Sequence, residues 1–454
     1  MTNFISRRTL LRLGAGTFGI LGAGGRLSRF GQLNAAVSST PNYKAMVCIF
    51  LFGGNDSNNL VVPIKTNKQN YNTYLGVRGG GALALSQTSL LPITTASTKE
   101  QYGLHPQLGP LQTLFNQGKL GLVANVGMLV KPINKTQYQQ GAPVPMNLFS
   151  HSDQQQQWQT APTPNSSRTG WGGRAADILQ ALNAPSTFPT AVSTAGGALF
   201  LSGQSSTPAS VTNGGLGLDG SDGSDAANAR DNAFQQILTF NSGLSLIQTA
   251  NKFTSDGIQA GKELNAALSS GQALQTVFPN TGLGDQLKQV AQILTVRTNL
   301  GMNRQIFFVS QGGYDTHTSQ LPQQDALFAE LAGAMAAFYN ATVELGLDNQ
   351  VVTFTESEFG RTFQPSTGDG SDHAWGSHHI VMGSPVKSAD VFGTFPALGL
   401  DSPDDVTGRG VWLPSTSLDQ YGATIASWFG VTDSSLGTVF PNLTNFTTPK
   451  LSFV

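Results

Sequence analysis

Short runs of continuous apolar residues that stop abruptly at glycine or polar residues restrict the fold more than any other feature. The clearest run is 45–52, which ends at Gly53 and Gly54; similar runs occupy 306–309 and 351–355. Apolar runs of this length without polar alternation are typical of strands that are buried on both faces of a parallel sheet. We therefore expect a sheet that is covered by helices on both sides.

Segments with helical spacing alternate with these strands. Further strands are predicted at 120–126 and 380–382, and helices at 108–117, 326–345 and 418–429. Strand–helix alternation of this kind indicates an α/β fold with a mostly parallel sheet. The length would allow two or three domains. Candidate site residues are scattered from end to end, however, which favours one large domain, 37–454, with insertions.

Two segments interrupt the alternation. Residues 203–232 are rich in Gly, Ser, Asn and Asp, and we expect them to form a flexible surface loop. Asp219, Asp222 and Asp225 stand three residues apart there, which is not the spacing of an EF-hand. Residues 233–300 have a helical pattern with weak breaks. A helical insertion is therefore expected in that range.

Candidate metal ligands follow the ends of three predicted strands. Asp56 follows the run 45–52, Asp315 and His317 follow 306–309, and Glu356 and Glu358 follow 351–355. In open α/β sheets, sites form beyond the carboxyl ends of the strands, so these side chains are expected to meet. Imidazole and carboxylate are the ligands of zinc and similar divalent metals.

All six histidines lie in short polar clusters outside the helical stretches. They are His105, His151, His317, His373, His378 and His379. One composite metal or catalytic site explains the set as a whole. For any single histidine, an isolated hydrogen-bonded residue is the simpler interpretation.

The N-terminus has the order of a twin-arginine export signal. Ser6-Arg7-Arg8-Thr9-Leu10-Leu11-Arg12 precedes a weakly apolar run, 13–25, and a small-residue cleavage site is expected near Ala35-Ala36. The alternative is a cytoplasmic protein with a chance arginine pair. We expect a signal peptide, 1–36, and export by the twin-arginine translocase to the periplasm or beyond. The run has too few large apolar residues for a stable membrane span.

Charge and cysteine content argue against a nucleic-acid-binding protein and a disulfide-stabilised protein. Loss of 1–36 would remove five arginines and no acid, which leaves 20 basic residues against 26 acidic ones and a net charge of about −6. This balance disfavours a nucleic-acid partner, because phosphate binding needs a concentrated basic surface. Cys48 is the only cysteine, so no intramolecular disulfide can form, and we expect it to be buried in its strand.

Several motifs resemble those of the DUF1501 family of exported bacterial proteins, and they occur in order over nearly the whole chain. They are Phe52-Gly53-Gly54-Asn55-Asp56, Leu104-His105-Pro106, Ser150-His151 with Trp158-Gln159-Thr160, Gly312-Gly313-Tyr314-Asp315-Thr316-His317, Ser357-Glu358-Phe359-Gly360-Arg361-Thr362, and Asp372-His373-Ala374-Trp375-Gly376 with His378-His379. Ser57-Asn58 and Gly383-Ser384-Pro385 depart from the family pattern beside these motifs.

The family resembles the alkaline phosphatase and sulfatase superfamily. This resemblance implies an alkaline-phosphatase-like fold, one or two divalent metal ions, zinc or calcium, and hydrolysis of phosphate or sulfate esters. It implies metal ligation by Asp56, Asp315, His317, Glu358, His373 and His378, and catalytic roles for Ser150, His151 and Arg361. Fold analogy alone does not establish an activity.

Three of these residues have alternative interpretations. Ser150 is either a hydroxyl nucleophile or the N-cap of a helix that begins near Asp153. Arg361 either binds an oxyanion through its planar guanidinium or pairs with Glu358. His105, which precedes Pro106, either supports a ligand from behind or is structural, and the structural interpretation is simpler.

We predict an exported metal-dependent hydrolase that acts on a small-molecule or polymeric phosphate or sulfate ester. The alternative from another class is a non-catalytic exported scaffold or binding protein that keeps the fold. An oxidoreductase is disfavoured, because Gly53-Gly54-Asn55-Asp56 lacks the third glycine of a dinucleotide fingerprint and no cysteine cluster could hold iron–sulfur.

Overall fold

A computed structural model describes residues 43–79, 83–161, 168–211, 224–241, 243–387 and 389–454. The predicted signal peptide, 1–36, lies outside the described residues, as does the middle of the predicted flexible loop, 212–223. The cleavage site expected near Ala35-Ala36 lies outside them too.

Strands and helices alternate along the part of the chain that the structure describes. The strands are β1 Lys44–Leu51, β2 Val61–Lys65, β3 Leu91–Thr94, β4 Gln101–Leu104, β5 Leu120–Gly127, β6 Ala191–Ser193, β7 Ala209–Ser210, β8 Arg304–Gln311, β9 Val351–Glu356, β10 Ser377–Met382, β11 Val391–Gly393 and β12 Thr416–Ser417. The α-helices are α1 Ser57–Leu60, α2 Tyr71–Arg78, α3 Gly109–Asn116, α4 Lys135–Gln139, α5 His151–Thr160, α6 Trp171–Leu179, α7 Asp225–Thr239, α8 Ser245–Ser269, α9 Gly282–Thr295, α10 Gln320–Glu344, α11 Leu418–Phe429 and α12 Asp433–Val439.

The main sheet has the strand order β11-β5-β10-β9-β1-β8-β6-β7, with β12 beside β5. Its neighbouring strands run parallel, except that β10 is antiparallel to both β5 and β9. A small antiparallel sheet, β2-β4-β3, forms separately. The predicted α/β class with a mostly parallel sheet is confirmed.

Alternate residues of β1 enter two hydrophobic cores, one on each face of the sheet. Val47 and Ile49 pack in a core that includes residues of α3, α9 and α10. Cys48 and Phe50 pack in the other, with residues of α6, α11 and α12. Successive side chains of a strand point to opposite faces, so burial of every β1 residue from Ala45 onward requires helices on both sides.

The helices differ from the prediction in two places. Helix α10 begins at Gln320, six residues before the predicted start. Helix α7 begins at Asp225, inside the segment that we expected to be a loop, and the expected loop also contains strand β7. The alanines between Asp225 and Arg230 favour a helix over an irregular loop. The range predicted to be helical, 233–300, contains the last seven residues of α7 and all of α8 and α9.

Among the described residues, one helix has the length and composition of a membrane span. It is α10, with a mean hydropathy of 1.2 over its most apolar window, 56% of which is buried inside the protein. A helix at the centre of a protein core has the same composition, so this observation is weak evidence for a span.

The sheet topology brings several connections to one edge. Strands β9, β1 and β8 are parallel neighbours, so their carboxyl ends lie together. Strand β10 is antiparallel to them and therefore begins at that same edge, where Ser377 pairs with Val126 near the end of β5. Residues that follow β1, β5, β8 and β9, and those that precede β10, consequently meet there.

Candidate metal centre

Two glycines after β1 allow its connection to approach the residues that follow β8 and β9. Gly53 has a φ of +120°, and a Cβ atom on it would lie 2.3 Å from the backbone nitrogen of Asp315. A Cβ atom on Gly54, with a φ of +77°, would lie 2.2 Å from the Phe359 ring. Only glycine tolerates both conditions. The Gly-Gly pair therefore lets Asp315 and Phe359 sit directly beside the end of β1.

A hairpin-like excursion between β9 and β10 carries the next site residues. Arg361 and His373 form an antiparallel bridge, and the Thr362 backbone nitrogen donates to the Asp372 carbonyl at 2.9 Å. The ring of Phe359 packs 4.6 Å from the His373 ring and 4.9 Å from the His151 ring, centre to centre. These contacts place His373 over the strand ends.

Four side chains converge on one point at this edge, and we call them the strand-end cluster: His151, Asp315, His317 and His373. Nε2 of His373 lies 3.0 Å from Nε2 of His151 and 3.0 Å from Nε2 of His317. Oδ1 of Asp315 lies 3.4, 3.1 and 3.5 Å from Nε2 of His151, His317 and His373, respectively. One atom from each of His151, Asp315 and His373 lies within 4.8 Å of the other two.

Hydrogen bonds to the outer nitrogen fix the tautomer of each imidazole. Nδ1 of His373 lies 2.8 Å from the Phe149 carbonyl, and Nδ1 of His151 lies 2.9 Å from Oε1 of Glu358. A carbonyl or a carboxylate only accepts, so each Nδ1 carries the proton. In a neutral ring the other nitrogen, Nε2, then presents a lone pair. Nδ1 of His317 faces Oδ1 of Asp372 at 3.4 Å in the same way.

The cluster therefore directs imidazole lone pairs and a carboxylate oxygen at one another. Such an arrangement is repulsive unless a metal ion lies between the donor atoms or one ring carries a second proton. Ligands of a four-coordinate zinc lie about 2.0–2.1 Å from the metal, which places them roughly 3.3 Å from one another. The separations of 3.0–3.5 Å in the cluster match that spacing. The donor set fits zinc better than calcium, which prefers six to eight oxygen ligands.

Arg361 holds Asp315 and the end of β1 in place. Its fully buried guanidinium donates to the carbonyls of Gly53, Gly54 and Ser371 and to Oδ1 of Asp315. The structure gives Arg361 this partner rather than the Glu358 partner that the sequence left open. The guanidinium also donates to three backbone carbonyls, so its contacts are with the protein itself and do not support the expected oxyanion-binding role.

Glu358 is a shared acceptor behind His151. Its Oε1 accepts from the Gly53 backbone nitrogen at 2.8 Å and from Nε2 of Gln155 at 2.9 Å, in addition to His151. The hydrogen bond to Glu358 raises the pKa of His151 above its ordinary value. Two roles differ from those expected. His151, expected to be catalytic, points its lone pair into the cluster. Glu358, expected to be a metal ligand, orients His151, as carboxylates commonly orient metal-binding histidines.

The pKa values in the cluster reflect the same contacts. Burial tends to raise the pKa of Asp315, but the hydrogen bond and charge of Arg361 lower it overall. Burial lowers the pKa of His373, although its bond to the Phe149 carbonyl opposes the effect. Asp315 is therefore held ionised and His373 neutral, which are the forms that bind a metal.

Two of the predicted ligands lie away from the cluster. Asp56 caps α1 and is fully buried, and its carboxylate pairs with Arg78 and accepts from Asn58 and Gln320. The expectation that Asp56 ligates at the same centre is corrected, because these donors occupy both of its oxygens.

His378 is buried on β10, where its Nδ1 accepts from the Asn125 backbone nitrogen at 2.9 Å and its ring stacks on Phe395. Burial lowers the pKa of His378 to about 3. The expectation that it shares the centre is corrected too, since its contacts place it in the core.

The remaining candidates have structural contacts. Ser150 is the N-cap of α5; its Oγ lies 3.5 Å from the Asp153 backbone nitrogen and 2.6 Å from the Asp153 carboxylate. His105 caps a short 3-10 helix, and burial lowers its pKa to about 4. Glu356 is buried below the site, where Oε1 accepts from Trp171 at 3.2 Å.

Three supporting groups were not among the predicted site residues: Asp372 behind His317, the Phe149 carbonyl behind His373, and Gln155, which donates to Glu358. Asp372 had a visible signal, because it adjoins His373 in the sequence. A backbone carbonyl has no signal in the sequence, and Gln155 is one of four consecutive glutamines, so spacing could not identify it.

Comparison with protein families identifies the chain. The model described as "Protein of unknown function (DUF1501)" matches residues 43–424. The chain belongs to the DUF1501 family. This confirms the resemblance seen in the motifs, and the matched range contains the whole strand-end cluster. No curated protein matches the DUF1501 chain.

Several solved structures are distantly similar to this DUF1501 protein. A lipoteichoic acid synthase from Listeria monocytogenes is 8% identical with a TM-score of 0.33, and the match covers 89% of this chain and 78% of that one. A sulfatase from Pseudoalteromonas sp. is 11% identical (TM-score 0.34; coverage 87% and 74%). The periplasmic domain of EptC from Escherichia coli, in complex with Zn, is 9% identical (TM-score 0.36; coverage 92% and 85%). Similarity at this level carries no argument about activity.

Proposed function

We propose that this DUF1501 protein is a metal-dependent hydrolase of phosphate or sulfate esters. The observation that carries the proposal is the strand-end cluster, in which three imidazole nitrogens and one carboxylate oxygen converge with their tautomers fixed from behind. Isolated surface histidines would not each have an acceptor on Nδ1 and a common point facing Nε2. Carboxylate or carbonyl acceptors behind histidines are typical of metal sites.

The charges around the cluster favour an anionic substrate once a divalent ion is bound. Asp315, Asp372 and Glu358 are balanced by Arg361 and Arg409, apart from one negative charge. A divalent ion would reverse the sign of the site. When bound, such an ion supplies Lewis acidity, which polarises an ester oxygen and makes a water molecule more acidic.

The chain's own residues would orient the metal ligands. Glu358 and the Phe149 carbonyl keep Nδ1 of His151 and His373 protonated, so that Nε2 remains a donor of electrons. Arg361, whose guanidinium is buried, fixes the rotamer of the half-exposed Asp315. The hydroxyl of Ser150 donates to the Asp153 carboxylate within its own cap, and its nucleophilic role stays a hypothesis.

Hydrolysis after controlled metal loading tests the proposal. Protein treated with a chelator and then dialysed against zinc should hydrolyse 4-nitrophenyl phosphate or 4-nitrophenyl sulfate, and chelated protein should not. His105→Asn is a matched control: it removes a histidine outside the cluster, and asparagine preserves the N-cap. Turnover in His105→Asn should follow zinc as in the wild type.

The scaffold alternative predicts a different result. Zinc-loaded wild-type protein that binds one or more equivalents but hydrolyses neither ester would contradict the hydrolase proposal and favour a non-catalytic metal-binding scaffold. Zinc-independent hydrolysis would contradict it equally.

We also propose that the protein is exported by the twin-arginine translocase. Ser6-Arg7-Arg8-Thr9-Leu10-Leu11-Arg12 and the weakly apolar run after it support this. Arg7→Lys combined with Arg8→Lys should retain the precursor in the cytoplasm. Normal appearance of a shortened form in the periplasm would reject export by this route.

A further inference from the structure

An open hollow of about 490 Å³ adjoins the strand-end cluster, and His317 and Asp372 form part of its wall. Its other lining residues carry hydroxyl, amide or guanidinium groups, apart from one proline. They are Thr318, Gln364, Pro365, Ser366, Thr367 and Arg409. Sites for small molecules are usually lined mainly by apolar and aromatic side chains. The composition of this hollow therefore points to a highly polar ligand.

Backbone contacts fix the walls of the hollow. The Ser319 and Gln320 nitrogens donate to the carbonyls of Gly368 and Asp369, each at 2.9 Å. A Cβ atom on Gly370 would lie 2.0 Å from the His317 carbonyl, so this loop packs directly on the cluster. On the other side, the Gln364 nitrogen donates to the Arg409 carbonyl at 3.0 Å. The backbone that carries the polar groups of the hollow is therefore held in place before any ligand binds.

The hollow contains both donors and acceptors, and this balance selects among polar ligands. Nη2 of Arg409 donates to Oδ2 of Asp372 at 2.7 Å, and its side chain is 44% exposed, so the guanidinium faces solvent as well as its partner. Asp372 only accepts, whereas the hydroxyls of Ser366 and Thr367 both donate and accept. A phosphate or sulfate group, which accepts alone, would meet repulsion from Asp372. A polyhydroxylated group, which does both, complements the whole set.

We propose that this hollow binds the alcohol part of the ester and that this alcohol is a sugar-like polyol. Arg409 is a specificity-determining residue, whose guanidinium donates to a sugar hydroxyl while Asp372 accepts from another. The anionic ester group lies at the strand-end cluster and the sugar beside it. This assignment rests on the proposed hydrolase function, because it takes the cluster as the place where the ester group binds.

Selectivity between two esters tests the inference. The ratio of kcat/KM for glucose 6-phosphate to that for phenyl phosphate should be higher in the wild type than in Arg409→Gln by about tenfold, as for the loss of one charge-assisted hydrogen bond. Thr367→Val, which keeps the shape and removes a hydroxyl, should lower the ratio in the same direction. Glucose 6-sulfate and phenyl sulfate serve as the pair if the enzyme prefers sulfate. The inference would be overturned if the ratio in Arg409→Gln and the ratio in Thr367→Val both equal that of the wild type.

Binding measured without turnover separates this inference from the proposed function. In saturation-transfer NMR with zinc-loaded protein, the sugar-ring protons of glucose 6-phosphate should receive saturation in the wild type and much less in Arg409→Gln. Zinc content measured on the same samples shows whether the substitution has disturbed His317 through Asp372. Hydrolysis of phenyl phosphate with no saturation of the sugar ring would overturn the polyol site and leave the hydrolase intact. Failure to bind either ester would overturn both.

Discussion

His373 and His378 lie five residues apart in the sequence and have opposite environments. His373 is partly exposed beyond the strand ends, with Nδ1 held by a carbonyl and Nε2 facing two other histidines. His378 is buried within β10, accepts a backbone hydrogen bond on Nδ1 and stacks on Phe395. A local group of histidines therefore does not define a site. A site is defined instead by where the second ring nitrogen of each histidine points once the first is held by a structural hydrogen bond.

The same contrast extends to the carboxylates. Asp315 lies at the surface end of β8 with its oxygen among imidazoles, and Arg361 holds it ionised. Asp419, at the start of α11, is fully buried in the core and accepts from the Asn442 backbone nitrogen at 3.1 Å. Burial raises the pKa of Asp419 to about 7. The carboxylate at the strand ends stays ionised beside imidazoles, as the proposed metal site requires, whereas polar residues of the core must be neutral or compensated.

The largest expected difference separates His373→Ala from His378→Ala. Loss of His373 removes a metal donor, and we expect zinc-dependent hydrolysis to fall by roughly a thousandfold or more with the fold preserved. Loss of His378 leaves the Asn125 nitrogen without its acceptor and empties a packed position, which should cost about 2–4 kcal/mol of unfolding free energy. Zinc titration and urea unfolding of both variants measure the two effects. Equal loss of zinc in the two variants would remove the distinction.

A pH-dependent effect is expected at Asp419. Its pKa in the folded protein, about 7, lies above the value of about 3.9 expected for an unfolded chain. Its contribution to stability is therefore greatest below pH 4, falls as the pH rises from about 4 to 7, and is constant above that. Asp419→Asn should remove this dependence, so that its stability relative to wild type rises by up to about 3 kcal/mol between pH 4.5 and 8.

Asp433→Asn is the matched control for that experiment, because Asp433 is exposed and pairs with Lys450 on the surface. Urea unfolding at several pH values should show that the unfolding free energy of this variant depends on pH almost as in the wild type. A wild-type pH dependence that persists in Asp419→Asn would show that other groups cause it.

A smaller effect is expected when the acceptor behind His151 is weakened. Glu358→Gln keeps the size of the side chain but replaces a carboxylate that accepts from Gly53, His151 and Gln155. Zinc affinity should fall by about 10–100-fold, as is usual for groups that orient metal ligands. Competition with a chelator of known affinity measures this. A loss as large as that of His373→Ala would instead indicate that Glu358 binds the metal directly.

The smallest effect is expected at Ser150. As an N-cap, Ser150→Ala should cost about 1 kcal/mol of unfolding free energy, and Ser150→Asn, which restores a capping oxygen, should recover most of it. Neither variant should lose hydrolytic activity if capping is the whole role. A loss of turnover by several orders of magnitude in both, with normal zinc content, would establish the hydroxyl as the nucleophile.

Five strands of the main sheet, β1, β5, β8, β9 and β10, were predictable because they are mainly apolar runs, and the mostly parallel order followed from the helices between them. That order placed Asp315 and His317 at one edge, whereas His373 was a candidate only through the histidine clusters and the family resemblance. The exchange of roles between His151 and Glu358 was not predictable, because it depends on which nitrogen meets the carboxylate after α5 has packed. Asp56 follows a strand like Asp315 does, but Arg78, outside any recognised motif, pairs with it.

The number of metal ions bound per chain tests the central claim most directly. Elemental analysis should be carried out on wild-type protein after zinc loading and removal of excess ion, with His317→Ala plus His373→Ala and His105→Asn beside it. We predict at least one equivalent in the wild type and in His105→Asn, and close to none in the double variant. Equal metal content in all three proteins would contradict the strand-end cluster as a metal site.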